Sequence, residues 1–392
     1  MPPSAEGRSA DGTPADGPAP LRIIQVGAGA MGRAWLHNLA ESPDAVVVGL
    51  VDLDPGLARA AAADTGHGNA AVAESLDDLL GRVEADAVVN VTVPAAHRAV
   101  SERALRAGLP VLCEKPLADT VSSGLSMAAA AELTGQLLMV SQSRRYWRHL
   151  DTLSGLLDQL GEIGAVGCTF RKAPRFGGFR EQMPYPLLID MAIHQFDLAR
   201  VLIHADPIAV YCDSYNPSWS WFRGDASAEA VFEFADGARF AFSGSWCAPG
   251  LETSWNGSWW ISGANGTATW DGEHAPAAED TDGHRLGAEP GSRPEQIAGS
   301  FAEFAAAVRT GETRPAGEVH SNVLSLAMVE AAIRSAEHRR RVSIAEILDD
   351  AYADAIRTET EPDLRDVLAS WPFVHDVIGE HRTVSTPPGA AQ

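Results

Sequence analysis

Asp190, His194 and Asp197 fall at i, i+4 and i+7 of the segment LLIDMAIHQFDLARVLI, residues 187–203. On a helix this spacing makes one polar stripe. The rest of the segment is apolar almost all round, so the stripe is expected inside the protein. A carboxylate one turn from an imidazole can fix its tautomer and raise its basicity, which suits proton transfer. On these residues alone, a structural Asp–His hydrogen bond in the core reads equally well. A second candidate is Lys115. Of thirty basic residues, only Lys115 and Lys172 are lysine. The Arg-, Ala-, Gly- and Asp-rich background reads as the codon bias of a GC-rich genome. A lysine in such a background points to a task that guanidinium cannot do, since an ammonium is a compact donor with an adjustable pKa. Lys115 stands in Cys113-Glu114-Lys115-Pro116, at the end of a predicted parallel strand. Open α/β sheets bind ligands at that end. Thr92-Val93-Pro94, followed by His97, ends another such strand. By themselves, Glu114–Lys115 also reads as a surface turn pair and His97 as a helix-start residue.

Gly27-Ala28-Gly29-Ala30-Met31-Gly32 follows one predicted strand and opens a helix. In this pattern Gly27 permits a tight turn, Gly29 admits a pyrophosphate close to the backbone, and Gly32 lets helix and strand pack. The free N–H groups and dipole of the helix N-terminus, at Ala30 and Met31, favour phosphate. Asp52 ends the next strand, twenty residues after Gly32. It is placed to accept hydrogen bonds from a ribose hydroxyl and to repel a 2′-phosphate. NAD is therefore expected over NADP.

The elements that must position these residues follow from the hydrophobic pattern. From Leu21 to Ser141, short Val/Ile/Leu runs alternate with helical stretches, predicted at residues 95–107 and 120–133 among others. Continuous apolar strands in alternation with helices predict a parallel sheet covered on both faces. Beyond it, helices are predicted near 146–160 and over 186–203. Five strands joined by turn signals follow, in a meander that predicts an antiparallel sheet. The expected organisation is a disordered leader at 1–20, an NAD(P)-binding Rossmann domain at 21–141, and an α+β substrate and oligomerisation domain at 142–343. A helical extension with a loose tail covers 344–392. Residues 271–298 read as a surface excursion, and a capping box of Ser300 and Glu303 predicts a helix start at 300. Further helices are expected at 321–339 and within 344–380.

Composition removes several function classes. The 392 residues carry 30 basic and 52 acidic side chains, a formal charge of −22. That field repels phosphate backbones and anionic membrane surfaces. No apolar run reaches the length of a membrane span. The leader lacks the apolar core of a signal peptide. Cys113, Cys168, Cys212 and Cys247 have no CxxC spacing, so neither a disulfide frame nor a metal site is expected, and a cytoplasmic location is. Seven of ten tryptophans lie between residues 219 and 270. Flat rings beside polar groups suit a substrate with C–H faces and hydroxyls, although core or interface packing uses Trp as well. The irregular segment from Asn216 to Arg223, with Trp219 and Trp221, is a candidate substrate loop.

Together the glycine fingerprint, Thr92–Pro94, Glu114-Lys115-Pro116 and Asp190-x-x-x-His194 resemble the Gfo/Idh/MocA oxidoreductase family, typified by glucose–fructose oxidoreductase and inositol dehydrogenase. The resemblance runs from about residue 22 to 342. It implies a Rossmann domain followed by an α+β domain whose mostly antiparallel open sheet mediates a homodimer or homotetramer. It implies that Lys115 holds the substrate oxygen, that His194 takes or gives the hydroxyl proton, and that Asp190 orients His194. The cofactor set would be Gly27, Gly29, Ala30, Met31, Gly32, Asp52, Thr92, Pro94, His97, Glu114, Lys115 and Gln142. Substrate would meet Lys115, Arg145, Tyr146, Asp190, His194, Trp219, Trp221 and Arg223. The expected activity is NAD-dependent oxidation or reduction at a secondary alcohol or ketone of a sugar or cyclitol. The alternatives are eliminative glycoside cleavage with recycled NAD, a non-catalytic sugar or dinucleotide sensor, and a small-ketone or imine reductase. Two features depart from the family pattern. Met183-Pro184-Tyr185-Pro186 replaces a glycine-rich approach to the DxxxH helix, and the chain continues past the usual end.

Overall fold

The computed structural model describes residues 18–379. Most of the expected leader, and the tail beyond Gly379, lie outside the described residues. The first sheet contains β1 (Leu21–Val26), β2 (Ala45–Val51), β3 (Ala71–Ala73), β4 (Ala87–Asn90), β5 (Val111–Glu114) and β6 (Leu138–Ser141). All its pairings are parallel and its order is β3-β2-β1-β4-β5-β6. The crossover helices are α1 (Ala30–Glu41), α2 (Pro55–Asp64), the short α3 (Leu76–Leu79), α4 (Pro94–Arg106) and α5 (Val121–Thr134). Strand burial is almost continuous, as helices on both faces require. The weak β3 and α3 leave no clear period in the sequence.

A 3-10 turn at Ser143–Tyr146 and α6 (Leu150–Leu160) lead into the second sheet. Its strands are β7 (Ile163–Arg171), β8 (Pro207–Tyr215), β9 (Ser227–Phe234), β10 (Arg239–Ser245), β11 (Ser258–Gly263), β12 (Gly266–Trp270), β13 (Ala277–Asp280), β14 (Arg285–Leu286) and β15 (Val342–Ser343). Their order is β14-β13-β12-β11-β7-β10-β9-β8-β15. Only β7 and β10 pair in parallel. The meander is therefore antiparallel, as the turn spacing predicts. The inner face carries Phe232, Phe240, Phe242 and Trp259, packed on Phe196 of α7 (Ile193–Ile203) and on one another.

Three expectations need correction. Residues 271–298 are not a simple excursion, because β13 and β14 extend the sheet edge within them. The long helix α8 (Gln296–Thr310) begins before Ser300, with Glu295 at its N-cap. Ser300 is buried, and Glu303 accepts from the Ala316 N–H at 2.5 Å. Gly299 lets this early turn lie against Tyr146, where a Cβ would sit 2.6 Å from the tyrosine Cβ. The helix expected over 186–203 is α only from Ile193, since Leu187–Ala192 form a π-helical turn.

The last helices are α9 (Val319–His338), α10 (Ile344–Thr358), α11 (Pro362–Ser370) and α12 (Val374–Val377). The C-terminal extension closes on the outer side of α4 and α5. Trp371 stacks on Tyr352 at 6.0 Å and donates to Glu132 at 2.8 Å. Arg98 and Arg106 of α4 pair with Glu359 and Asp363. No described helix is long and apolar enough to cross a membrane.

One buried network ties the turn after β6 to α7 and α9. Arg145 donates twice to Asp197, each bond 2.7 Å, and the Ser325 hydroxyl donates to the same carboxylate at 2.6 Å. Burial would raise the Asp197 pKa, but the charge and bonds of Arg145 outweigh it and hold the carboxyl below its ordinary value. Breaking a buried pair leaves one charge without compensation, at a cost of about 3–5 kcal/mol. Asp197→Ala is expected to lose that much in a denaturant titration. The wild-type contribution is present above the carboxylate's unfolded pKa and disappears as pH falls through the lower folded value.

Candidate active site

Three loops at the carboxyl ends of the parallel strands make a cradle. Gly27 has φ +103°, and a Cβ there would lie 2.5 Å from the Val91 carbonyl oxygen. A Cβ on Gly32 would lie 2.3 Å from the Gly27 oxygen, so α1 can approach β1 this closely only without a side chain. Gly29 is different: nothing lies within 4 Å of its Cβ position. It caps α1 without any side-chain hydrogen bond, which leaves the helix N-terminus at Ala30 and Met31 open to an anion. The Asp52 carboxylate accepts from Ala28 N at 2.8 Å and Asp54 N at 3.0 Å, fixing it at the end of β2. A carboxylate has further lone pairs for a ribose hydroxyl. These features fit a dinucleotide.

The neighbouring loops are held from behind. His97 is buried, with Nδ1 2.8 Å from the Pro116 oxygen and Nε2 3.1 Å from the Thr92 oxygen. Burial depresses its pKa, so the neutral ring donates to one carbonyl at a time. His97 thus positions the Thr92–Pro94 loop against the one that carries Lys115. Thr92 itself donates to Asn90 at 2.7 Å, and Pro94 opens α4. Glu114 is also buried, accepting from Trp35 Nε1 at 2.8 Å and from Lys115 N at 2.9 Å. Gln142, at the end of β6, is 1% exposed with both amide atoms unpartnered among the described residues. Such a group needs a ligand or solvent to repay its desolvation.

Across the cleft, the π turn places Asp190 opposite Lys115. Lys115 Nζ lies 3.1 Å from Asp190 Oδ1 and 3.0 Å from the Asp190 carbonyl oxygen. Arg180 Nε donates to the other carboxylate oxygen at 2.6 Å. Burial alone would raise the Asp190 pKa, but the Lys115 charge and the Arg180 bond hold it below the usual carboxylate range. Asp190 therefore stays ionised. The hydrogen bond expected between Asp190 and His194 is not formed. The π turn widens the helix just before α7, so the carboxylate swings to the two cations. His194 is 7% exposed, and its Nδ1 has no partner among the described residues. Burial, then the charges of Lys115 and Arg144, push its pKa well below the ordinary imidazole value. A neutral imidazole beside an ammonium can take a proton from a hydroxyl whose oxygen the ammonium holds.

The other expected substrate residues divide. Arg145 and Tyr146 are buried, Arg145 against Asp197 and Tyr146 with its hydroxyl 3.5 Å from the Ala316 oxygen. Their neighbour Arg144 takes the cleft side. It donates to Asn256 at 2.6 Å, and its charge reaches His194. Trp219 is exposed and donates to the Cys247 carbonyl at 3.0 Å. Trp221 carries Arg175 over its ring at 4.0 Å. Arg223 is exposed, and its N–H bonds the Glu181 oxygen at 2.8 Å, joining the 216–223 loop to the segment that holds Arg180. Trp255 belongs to the tryptophan cluster at 219–270, whereas Arg144, Arg180 and Phe176 were not legible as site residues. Only the Arg144–Arg145 doublet hinted at one of them, and a 3-10 turn hides which arginine faces outward.

Known proteins share both halves. The model of the oxidoreductase family with an NAD-binding Rossmann fold matches residues 21–142, and the GFO/IDH/MocA C-terminal domain model matches residues 157–269. The chain is 30% identical over 356 residues to the uncharacterized protein y4oX of Sinorhizobium fredii, spanning 83% of this chain and 96% of that one. It is 27% identical over 350 residues to the inositol 2-dehydrogenase of Rhizobium meliloti, spanning 83% and 99%. Among solved structures, an Agrobacterium radiobacter oxidoreductase in complex with NAD+, L-tartaric acid and magnesium superimposes with a TM-score of 0.75. That match has 21% identity over 84% of this chain and 99% of the other. The Bordetella pertussis WlbA dehydrogenase in complex with NADH and UDP-GlcNAcA gives 0.69 and 21%, over 83% and 98%. At these identities the structures speak for the fold alone. The two family models, which match more than half the chain, and the full-length relative at 30% identity establish that this protein belongs to the Gfo/Idh/MocA family of NAD-binding oxidoreductases.

Proposed function

We propose that this chain is an NAD-dependent dehydrogenase acting on a secondary alcohol of a sugar or cyclitol. The observation that carries the reading is the meeting of Lys115 with Asp190, 3.1 Å apart, beside a buried neutral His194. The full-length relative named inositol 2-dehydrogenase supports the substrate class. Gly27, Gly29, Gly32, Asp52 and Gln142 would hold the dinucleotide. Its nicotinamide supplies a hydride acceptor. Lys115 holds the substrate oxygen and stabilises negative charge as it develops there. His194 removes the hydroxyl proton. Asp190, held ionised by Lys115 and Arg180, fixes the ammonium in place.

The outer face of the second sheet exposes Tyr211, Val231 and Trp260, which are 53%, 47% and 49% accessible. We assign this face to a homo-oligomer contact, and the protein to the cytoplasm.

Three outcomes test the reading. With a panel of sugars and inositols, NADH formation is expected in the wild type. Lys115→Ala and His194→Ala should each lower kcat/KM by about 10²–10⁴, the usual range for a positioned proton acceptor or charge stabiliser. Unchanged turnover in either variant would remove that residue from the chemistry. The free-enzyme pH profile supplies the second test. Because the His194 pKa is depressed, its neutral form persists as pH falls through 6.5. Alcohol oxidation should therefore hold its kcat/KM through that value and decline only on the more acidic side. The third concerns Asp52. NAD should bind at least ~10-fold more tightly than NADP, since a carboxylate facing a phosphate costs several kcal/mol. Asp52→Ala should narrow that gap in a dinucleotide titration.

A further inference from the structure

The cleft is cationic in a protein of net charge −22. Lys115 and Arg180 share the single carboxylate of Asp190. Arg180 uses only Nε for that bond, and its two Nη groups bond nothing among the described residues. Its side chain is 38% exposed, so these donors are accessible. Arg144 has less compensation still. Its hydrogen bond goes to the neutral amide of Asn256, and its guanidinium lies 5.8 Å from the Trp147 ring centre. Glu273 is the carboxylate whose field reaches it, yet no ion pair forms and Glu273 accepts from Ser254 instead. Burial lowers the Arg144 pKa to about 10, a measure of how little its surroundings repay the charge. Lys172, by contrast, pairs with Glu252 and lies over Trp255, so its charge is compensated.

Both arginines border the proposed reacting centre. Arg180 bonds Asp190, and the charge of Arg144 is felt at His194. The 253–257 segment links them to the apolar wall. Asn256 holds Arg144, the Trp255 carbonyl accepts from Gln195 at 3.4 Å, and Trp255 meets Phe176, whose ring lies 5.3 Å from the Arg180 guanidinium. A neutral polyol would leave Arg144 without a paired carboxylate and the Arg180 Nη groups without an anionic acceptor inside a partly dehydrated cleft. An anionic group would satisfy them, and guanidinium forks match carboxylate and phosphate geometry.

We infer that the substrate is an acidic polyol, carrying a carboxylate or phosphate that Arg144 and Arg180 hold beside the hydroxyl facing Lys115 and His194. This rests on the dehydrogenase reading for the identity of that hydroxyl, but the anion site can be measured without turnover. The full-length protein saturated with NAD+ is titrated calorimetrically with matched pairs: D-glucuronate against D-glucose, D-galacturonate against D-galactose, and D-gluconate against sorbitol. D-Glucose 6-phosphate is the phosphate arm. NADH formation is followed in parallel.

An acidic member is expected to bind at least ~10-fold more tightly than its neutral partner, as charge-assisted hydrogen bonds imply. That advantage should shrink with added salt. Whether the uronates and gluconate or the phosphate show it identifies the anion. Arg144→Gln and Arg180→Gln should each remove most of the preference, and Arg144→Lys, which keeps the charge and the fold, should restore part of it. Equal binding of acidic and neutral members, or no binding by any acid, overturns the inference. So does a loss of NAD affinity in Arg144→Gln with the acid preference intact, which would assign Arg144 to the cofactor. Neutral sugars oxidised without acid preference would sink the anion site and leave the dehydrogenase. Arginine-dependent acid binding without NADH formation would do the reverse.

Discussion

The contact between Lys115 and Asp190 joins the two sheets at the point where chemistry is proposed. Lys115 is carried by the end of β5, and Asp190 by the turn that introduces the buried helix of the second half. An ammonium and a carboxylate in a half-dehydrated cleft stabilise each other only when the geometry is maintained on both sides. Much of the surrounding structure can be understood as maintaining it. His97 fixes the Thr92 and Pro116 carbonyls relative to each other, and Glu114 ties the Lys115 backbone to Trp35 of α1. Arg180 holds the far oxygen of Asp190. The lysine is thereby aimed from behind and its partner from the side.

The π turn decides which role each polar group takes. In a regular helix, Asp190 would lie one turn below His194 and could accept from it. With the wider turn, the carboxylate serves two cations and the imidazole Nδ1 has no partner among the described residues. The consequence is electrostatic. A histidine bonded to a carboxylate would gain stability for its charged form, whereas this one sits among cations in a buried place and is kept neutral. Its proton-accepting state is the resting state. π turns often occur at functional sites, and here the physical effect is the separation of the acidic and basic partners.

The sequence was informative where period and local chemistry agree. Alternating apolar runs and helices predict the parallel sheet, and the turn residues that bound β8, β11 and β12 on both sides predict the antiparallel meander. The glycine turn is legible because each glycine answers a steric demand, seen at Gly27 and Gly32 as backbone contacts that no Cβ could enter. The capping signal at Ser300 misled, because the glycine before it lets the helix start a turn earlier against Tyr146. β13 and β14 were hidden by an acidic, turn-rich composition that edge strands share with loops. The side chains that line the cleft were least legible. Whether Arg144 or Arg145 faces the site depends on a buried carboxylate 52 residues beyond Arg145, and Asp197 claims Arg145. No local pattern encodes that choice.

The C-terminal extension completes this logic from a distance. Trp371 and Tyr352 pack over the end of α5 through Glu132, while the start of α5 is held by Glu330 of α9, which accepts from Val121 N at 2.7 Å. Ser325 of the same helix bonds both Asp197 and Arg200 of α7. The path therefore runs from the extension through α5 and α9 to the helix that presents His194. α5 also leads from the Lys115 loop, since Pro116–Thr120 connect β5 to it. One packed helix layer thus fixes both sides of the cleft. Hydride transfer tolerates little variation in the distance between reacting atoms. A chain that presents its lysine from a sheet loop and its histidine from a helix gains that precision by bracing the helices behind both.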